Sequence, residues 1–419
     1  MQIEQSSLQK RIYKLVEQIT HEKFNDEVSF LTNLVERVVD IPDFEIIGGR
    51  IWRKNPEDNT YSLIYQYGNV KKIPENYTLS IDDQPVLRDL WQKGTLLRRE
   101  TDQLLKDSGI FIYSVTGVGE IIRSNFGRFY EYVLGFNAKQ ILQSFYETLS
   151  IIGTVASSRL KDYKLLKYQE KIQRDILKAA DIQKGLFPDH SVSFADFEIF
   201  GVCLPDSEVG GDYFDYFESL ESEEDRIGIL VADAASKGLS AAIQALFVSG
   251  AVKMALKFSS KISALFYNLN NLIFETFPLE RFVTMFYCEL TNSSNRLVLY
   301  SSAGHVEPLH FRADDESFSF LGSTGGILGI VPNQKYNVEN TQLRHGDILV
   351  ITTDGITEAQ NLANEMFGHK RLMDIIKKNK TLSSKEIAML IMESVQHFSA
   401  NSNYNDDKTI IVIKRNTVN

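Results

Sequence analysis

The stretch Phe282-Val283-Thr284-Met285-Phe286-Tyr287-Cys288-Glu289-Leu290, then Thr291-Asn292-Ser293-Ser294-Asn295, then Arg296-Leu297-Val298-Leu299-Tyr300-Ser301 decides the fold of the C-terminal half. Its two arms are rich in β-branched and aromatic residues, as strands are. The polar residues between them allow only an antiparallel hairpin, because parallel strands need a crossover of a dozen or more residues. An antiparallel α+β layered domain follows.

Working outward, Phe197 to Leu204 and Ile227 to Val231 read as strands, and Leu239 to Phe258 and Ile262 to Phe277 as helices. The second helix keeps Ile262, Leu265, Phe266, Leu269, Leu272 and Ile273 at helical spacing. Upstream, Asn137 to Leu186 has almost no turn chemistry, Gly153 being the only glycine before Gly185, and predicts one long connecting helix. Within it Leu165, Ile172, Ala179 and Leu186 fall seven apart, with Ile176 and Ile182 beside them, as a short coiled-coil seam requires. That pattern predicts a homodimer through the helical linker, although a helix packed on its own domain would show it too. Residues 24–162 read as a small α/β domain, opened by a helix carrying Val28, Leu31, Leu34, Val35 and Val38. A hairpin follows, with Ile46 to Trp52 and Tyr61 to Tyr67 flanking the turn Asn55-Pro56-Glu57-Asp58-Asn59, and Gly109 to Val115 is another strand. The chain thus divides into an N-terminal helical extension (1–23), the α/β domain (24–162), a helical linker (163–189) and the antiparallel domain (190–419).

Composition narrows the function. A chain of 419 residues is too long for one ordinary core. With 43% hydrophobic and 24% charged residues it matches a soluble globular protein. The net charge of -10 disfavours nucleic acid and anionic lipid, and the one basic pair, Arg98-Arg99, is flanked by acids. A protein or small-molecule partner is expected instead. Cys203 and Cys288 cannot make a secreted disulfide framework, and no signal peptide or run approaching 18 apolar residues is visible, so a cytoplasmic protein without membrane insertion is expected.

Four acidic spots share one context, an Asp beside Gly or another Asp at the edge of an apolar strand. They are Gly210-Gly211-Asp212, Val231-Ala232-Asp233, Thr353-Asp354-Gly355 and Asp406-Asp407. Singly, each is also ordinary turn chemistry. Together, carboxylates at strand ends can converge on one point, where they repel unless a cation sits between them. Oxygen ligands without imidazole or thiolate favour magnesium or manganese over zinc. None of the seven histidines forms an HxH or HExxH pair, which leaves a zinc hydrolase without support.

Seven stretches in order resemble the PPM metal-dependent protein phosphatases, within them the bacterial SpoIIE-like and RsbU-like branch. They are Asp181 to Pro188, Glu208 to Asp215, Asp233 to Gly238, Thr284 to Tyr287, Ser302 to His305, Thr352 to Ala359 and Asn405 to Thr409. The resemblance implies an α-β-β-α sandwich of two antiparallel sheets and a serine/threonine phosphatase using two Mn2+ or Mg2+ ions. It implies that Asp233 bridges the ions, the Ala234 carbonyl and Asp212 add ligands, and Asp354 and Asp406 hold the second ion. The implied substrate is a phosphorylated bacterial regulatory protein such as an anti-sigma-factor antagonist.

Ser236 departs from the family, which usually has Gly there, and Ala235 stands near a histidine proposed as general acid in eukaryotic relatives. His305 could replace that acid or be structural. The N-terminal domain resembles a GAF sensory domain by its succession of helix, hairpin and closing helix, and implies a small-molecule or protein signal relayed through the linker to Asp212 and Asp233. Two rivals stand beside the phosphatase. Gly210-Gly211-Asp212 begins a diguanylate-cyclase signature, but Tyr213 and Phe214 break it. A catalytically weak or inactive phosphatase-like scaffold that only binds its partner would fit Ser236.

Overall fold

The computed structural model describes residues 2–75, 77–84, 86–99, 103–107, 112–138, 143–218, 226–258, 261–292, 296–400, 402 and 406–416. The turn residues Ser293 to Asn295, the strand start Gly109 to Phe111 and Asn405 lie outside them. The chain forms two compact units, 1–171 and 172–419.

The N-terminal unit contains α1 (Gln2–His21), α2 (Glu27–Val39), β1 (Ile46–Lys54), β2 (Thr60–Gly68), β3 (Thr78–Ser80), α3 (Val86–Lys93), β4 (Thr95–Arg99), α4 (Gln103–Asp107), β5 (Ile112–Ser124), β6 (Gly127–Ala138) and the start of α5 (Gln143–Lys184). Its strands make one antiparallel sheet ordered β3-β2-β1-β6-β5-β4. Because side chains alternate along a strand, Ile51, Val118, Leu134 and Phe136 face a core shared with Phe30, Leu34 and Leu149 of the helices. Their neighbours Trp52, Val115 and Val133 face a second core with Leu87 and Leu90 of α3. The expected hairpin is β1 and β2, longer by a few residues. The expected helix from Asn137 is corrected: Asn137 and Ala138 still belong to β6, pairing with Gly48 and Ile46, and α5 begins at Gln143 and ends at Lys184. No Gly or Pro separates this strand from the helix, so turn chemistry could not mark the border.

The C-terminal unit adds β7 (Ser191–Phe194), β8 (Phe197–Leu204), β9 (Tyr213–Glu218), β10 (Arg226–Ala234), α6 (Leu239–Lys257), α7 (Ile262–Thr276), β11 (Val283–Thr291), β12 (Leu297–Ala303), β13 (Leu309–Phe311), β14 (Phe318–Phe320), β15 (Glu339–Gln342), β16 (Ile348–Thr352), α8 (Asp354–Thr357), α9 (Gly368–Lys378), α10 (Ser384–Phe398) and β17 (Lys408–Arg415). Strands β15-β12-β11-β10-β9 form one antiparallel sheet and β14-β13-β16-β17-β8-β7 the other. The hairpin that decides the fold is β11 paired with β12, Met285 opposite Ala303 and Leu290 opposite Val298. Ile229, Val231, Phe286, Ile351 and Ile411 fill the space between the sheets. Alternate residues point outward, Leu230 and Met285 to α6 and α7, Val350 and Val412 to α9 and α10. This is the α-β-β-α sandwich the sequence implied. Helix α6 is apolar and long enough by composition to cross a membrane, and it packs Ala241, Ala245, Val248 and Val252 onto the sheet.

Candidate active site

The acidic residues lie at strand edges. Asp233 is the penultimate residue of β10, Asp354 opens α8 just after β16, Asp406 and Asp407 precede β17, and Asp212 precedes β9. They are close enough to act on one another's protons. Burial and the charges of Asp354, Asp406 and Asp407 push the Asp233 carboxyl up to about 7. Burial and the Asp233 charge push Asp212 well above the usual carboxylate range, and burial with Asp406 raises Asp354. Such upward shifts mark carboxylates whose negative charge is uncompensated.

Asp212 is buried, and its Oδ2 accepts hydrogen bonds from Thr353 and Thr409, 2.7 Å each. Asp407 acts on backbone: Oδ1 accepts from Asp206 N at 2.8 Å and Oδ2 from Gly211 N at 2.5 Å. It thereby ties the loop carrying Asp212 to the edge of β17. Close approach explains the glycines. A Cβ on Gly355 would lie 1.8 Å from the Asp407 carbonyl oxygen, and one on Gly210 2.7 Å from Asp407 Oδ2. Gln183 of α5 holds the same loop, donating to Gly210 O at 2.7 Å and accepting from Gly210 N at 3.2 Å.

Asp233 and Asp354 line one cleft, of about 390 Å³, with Thr284, His305 and Glu358. Lys237, Gly238, Asp406 and Asp407 line another. The Lys237 ammonium stands 3.1 Å from Asp406 Oδ2, so one cation is already among the carboxylates. His305 is buried, its Nδ1 3.0 Å from Thr284 Oγ1, and burial lowers its pKa to about 4. It is neutral at pH 7 and holds Thr284 beside Asp233. Ser236 causes no backbone strain. The left-handed φ of this loop, 63°, belongs to Gly238, and Ser236 Oγ donates to the buried Gln244 Oε1.

The donor chemistry, oxygen-only and electrostatically frustrated, fits hard divalent cations. Among the described residues no three His, Cys, Asp or Glu side chains are gathered into a ready-made ligand shell, because Asp212 turns to its threonines and Asp406 to Lys237. The sequence points to Asp212, Asp233, Asp354 and Asp406, to Asp407 as a further acid beside them, and to Gln183 to Pro188 as a switch segment ahead of the domain, but it assigns no role to Thr353 or Thr409. A Thr next to an acidic motif, as in Thr353-Asp354 and Asp407-Lys408-Thr409, is the available sign for the threonines.

Residues 223–416 match the family model of Stage II sporulation protein E (SpoIIE). The chain is 27% identical over 247 residues to phosphoserine phosphatase RsbU of Bacillus subtilis, covering 59% of this chain and 72% of RsbU. It is 25% identical over 272 residues to protein IcfG of Synechocystis sp., covering 58% of this chain and less than half, 42%, of IcfG. The SiaA-PP2C domain of Pseudomonas aeruginosa shares the fold, with a TM-score of 0.50 and 19% identity over 59% of this chain and 98% of that domain. The double sheet with its acidic rim is thus a PP2C-type phosphatase domain.

Proposed function

We propose that this protein serine/threonine phosphatase hydrolyses phosphoserine or phosphothreonine on a regulatory protein of the anti-sigma-factor-antagonist type, with two Mn2+ or Mg2+ ions held by Asp212, Asp233, the Ala234 carbonyl, Asp354 and Asp406. The observation that carries this reading is the set of carboxylates raising one another's pKa around Asp233. The name of RsbU, a phosphoserine phosphatase, supports the substrate class. Bound cations would supply acidity for the attacking water and neutralise phosphoryl charge. The chain's own residues do the rest. Thr353 and Thr409 fix Asp212, Asp407 fixes its loop, and Lys237, 70% exposed, can swing from Asp406 to a phosphoryl oxygen. His305, neutral and buried, positions Thr284 and does not serve as general acid.

Regulation in this reading comes from the GAF-like N-terminal unit through α5. Leu165, Ile172 and Ile182 are exposed on that helix, 55%, 41% and 63%, which suits a seam with a second copy in the cytoplasm. The double substitution Leu165→Asp with Ile172→Asp should halve the mass measured by light scattering, and an unchanged mass would remove the dimer. The catalytic reading is tested by phosphate release from a phosphoserine protein with manganese. Asp354→Ala and a chelator should each abolish it, and activity surviving both rejects the metal mechanism. The scaffold reading is favoured by one observation, the turn of Asp212 to Thr353 and Thr409 and of Asp406 to Lys237, and predicts no phosphate release at any manganese concentration.

A further inference from the structure

His369 is the second residue of α9 and lines the cleft that holds Asp233 and Asp354. Its backbone is fixed from both sides. Phe367 is buried in the core with Ile356 and Ala359, its N donates to Ala359 O at 2.8 Å, and its carbonyl accepts from Arg371 Nη1 at 2.9 Å. The residues that follow Asp354 therefore set where the imidazole stands. The ring itself is held loosely. It is half-buried, with the edge of Phe320 5.1 Å away at an interplanar angle of 90°. Its Nε2 is shielded from solvent and has no hydrogen-bond partner among the described residues.

A shielded polar atom without a partner is destabilising and rare in folded proteins, and it is explained when the partner arrives with the substrate. Hydrolysis of a phosphate ester supplies one. The oxygen that leaves phosphorus is strongly basic when it belongs to serine or threonine, and a positioned acid eases its departure. Imidazole is the side chain whose charge changes between pH 5 and 8 without help from its surroundings. The rest of the wall is committed elsewhere: Asp233 and Asp354 are the proposed ion ligands, and His305 is neutral, buried and bonded to Thr284. Glu307 and Glu358 complete its titratable groups, and Lys370 and Arg371 follow His369 on α9. The terminal torsion of histidine is broad, so a small ring rotation brings Nε2 to an ester oxygen seated in the cleft.

We propose that His369 is the catalytic residue that protonates the leaving oxygen, a role that rests on the phosphatase reading above. As the phosphorus–oxygen ester bond breaks, its electron pair stays on the serine or threonine oxygen, which takes the Nε2 proton and departs as the alcohol. The attacking water oxygen bonds to phosphorus and keeps one hydrogen. Its other proton passes to solvent, from which the imidazole is protonated again. Phenyl phosphate and 4-nitrophenyl phosphate, assayed on the full-length protein with manganese, isolate this role, because phenolate needs a proton on departure far more than 4-nitrophenolate does. His369→Gln should lower kcat/KM for phenyl phosphate at least about tenfold more than for 4-nitrophenyl phosphate, with thermal unfolding and the calorimetric affinity for manganese unchanged. On the unsubstituted chain the phenyl to 4-nitrophenyl rate ratio should fall as pH rises from about 7 to about 9, and in His369→Gln it should stay flat. An equal loss on both esters, weakened manganese binding in His369→Gln, or a pH-independent ratio on the unsubstituted chain overturns the proposal and leaves the phosphatase reading standing. Hydrolysis of neither ester by the unsubstituted chain overturns both. If His369→Gln melts early, the ratio on the unsubstituted chain decides.

Discussion

Asp233, half-buried, and Arg50, buried, are both charged residues on a β-sheet, and the two units surround them differently. Around Asp233 the neighbours carry the same charge, and the carboxyl is pushed towards neutrality. Around Arg50 the side-chain oxygen of Asn137 and the backbone carbonyl of Lys71 accept from the guanidinium, beside a pocket lined by Trp52, Leu79, Leu87 and Val133. A cluster of like charges calls for a multivalent counter-ion.

The contrast breaks most visibly at Asp233→Asn. If Asp233 holds the proposed cations, its loss should lower phosphate release on the order of 10³-fold, measured with saturating manganese. The same substitution should change the pH dependence of stability without metal. Burial and the neighbouring carboxylates push Asp233 up to about 7 from its ordinary 3.8, so the folded chain holds the proton that the unfolded chain has released. Stability then falls as pH rises from about 4 to about 7, and Asp212 and Asp354 act in the same direction. Urea midpoints should fall over that range in the metal-free protein, less steeply in Asp233→Asn, and manganese should restore them at pH 7.

The glycines sharpen the comparison. Gly355→Ala forces a Cβ to 1.8 Å from the Asp407 carbonyl oxygen, and should cost about 3 kcal/mol or more in urea unfolding. Thr353→Val or Thr409→Val removes one donor from the buried Asp212, at about 1–3 kcal/mol each, and the pair should not add. Lys237→Met removes a mostly exposed partner of Asp406. It should change stability by less than about 1 kcal/mol, and calorimetry should find manganese bound a few-fold more tightly. Gly135→Ala should be the mildest, within about 1 kcal/mol of the parent.

The sequence shows the acidic rim well because each of its carboxylates sits in a local signature, an Asp at the edge of an apolar strand, beside Gly at Asp212 and Asp354 and beside another Asp at Asp406. It shows β8, β10, β11, β12, α6 and α7 for a similar reason, each being long enough to display its period. What it conceals is assembled from distant pieces. Thr409 reaches Asp212 across 197 residues, and the Arg50 pocket takes single residues from several strands, each looking like ordinary strand alternation. Strands β13 and β14 are three residues each, too short for any period. Helix α10 had a usable sign, the capping box of Ser383 and Glu386.

Strand β17 lies between β16 and β8 and carries, at its edge, the carboxylate that pins the Asp212 loop. A chain leaving the ribosome exposes its early segments first, so Asp212, Asp233 and Asp354 all emerge before the strand that locks them. The hydrogen bonds that Asp407 and Thr409 make with the Asp212 loop can therefore form only after residues 406–415 have been made and have inserted into the sheet.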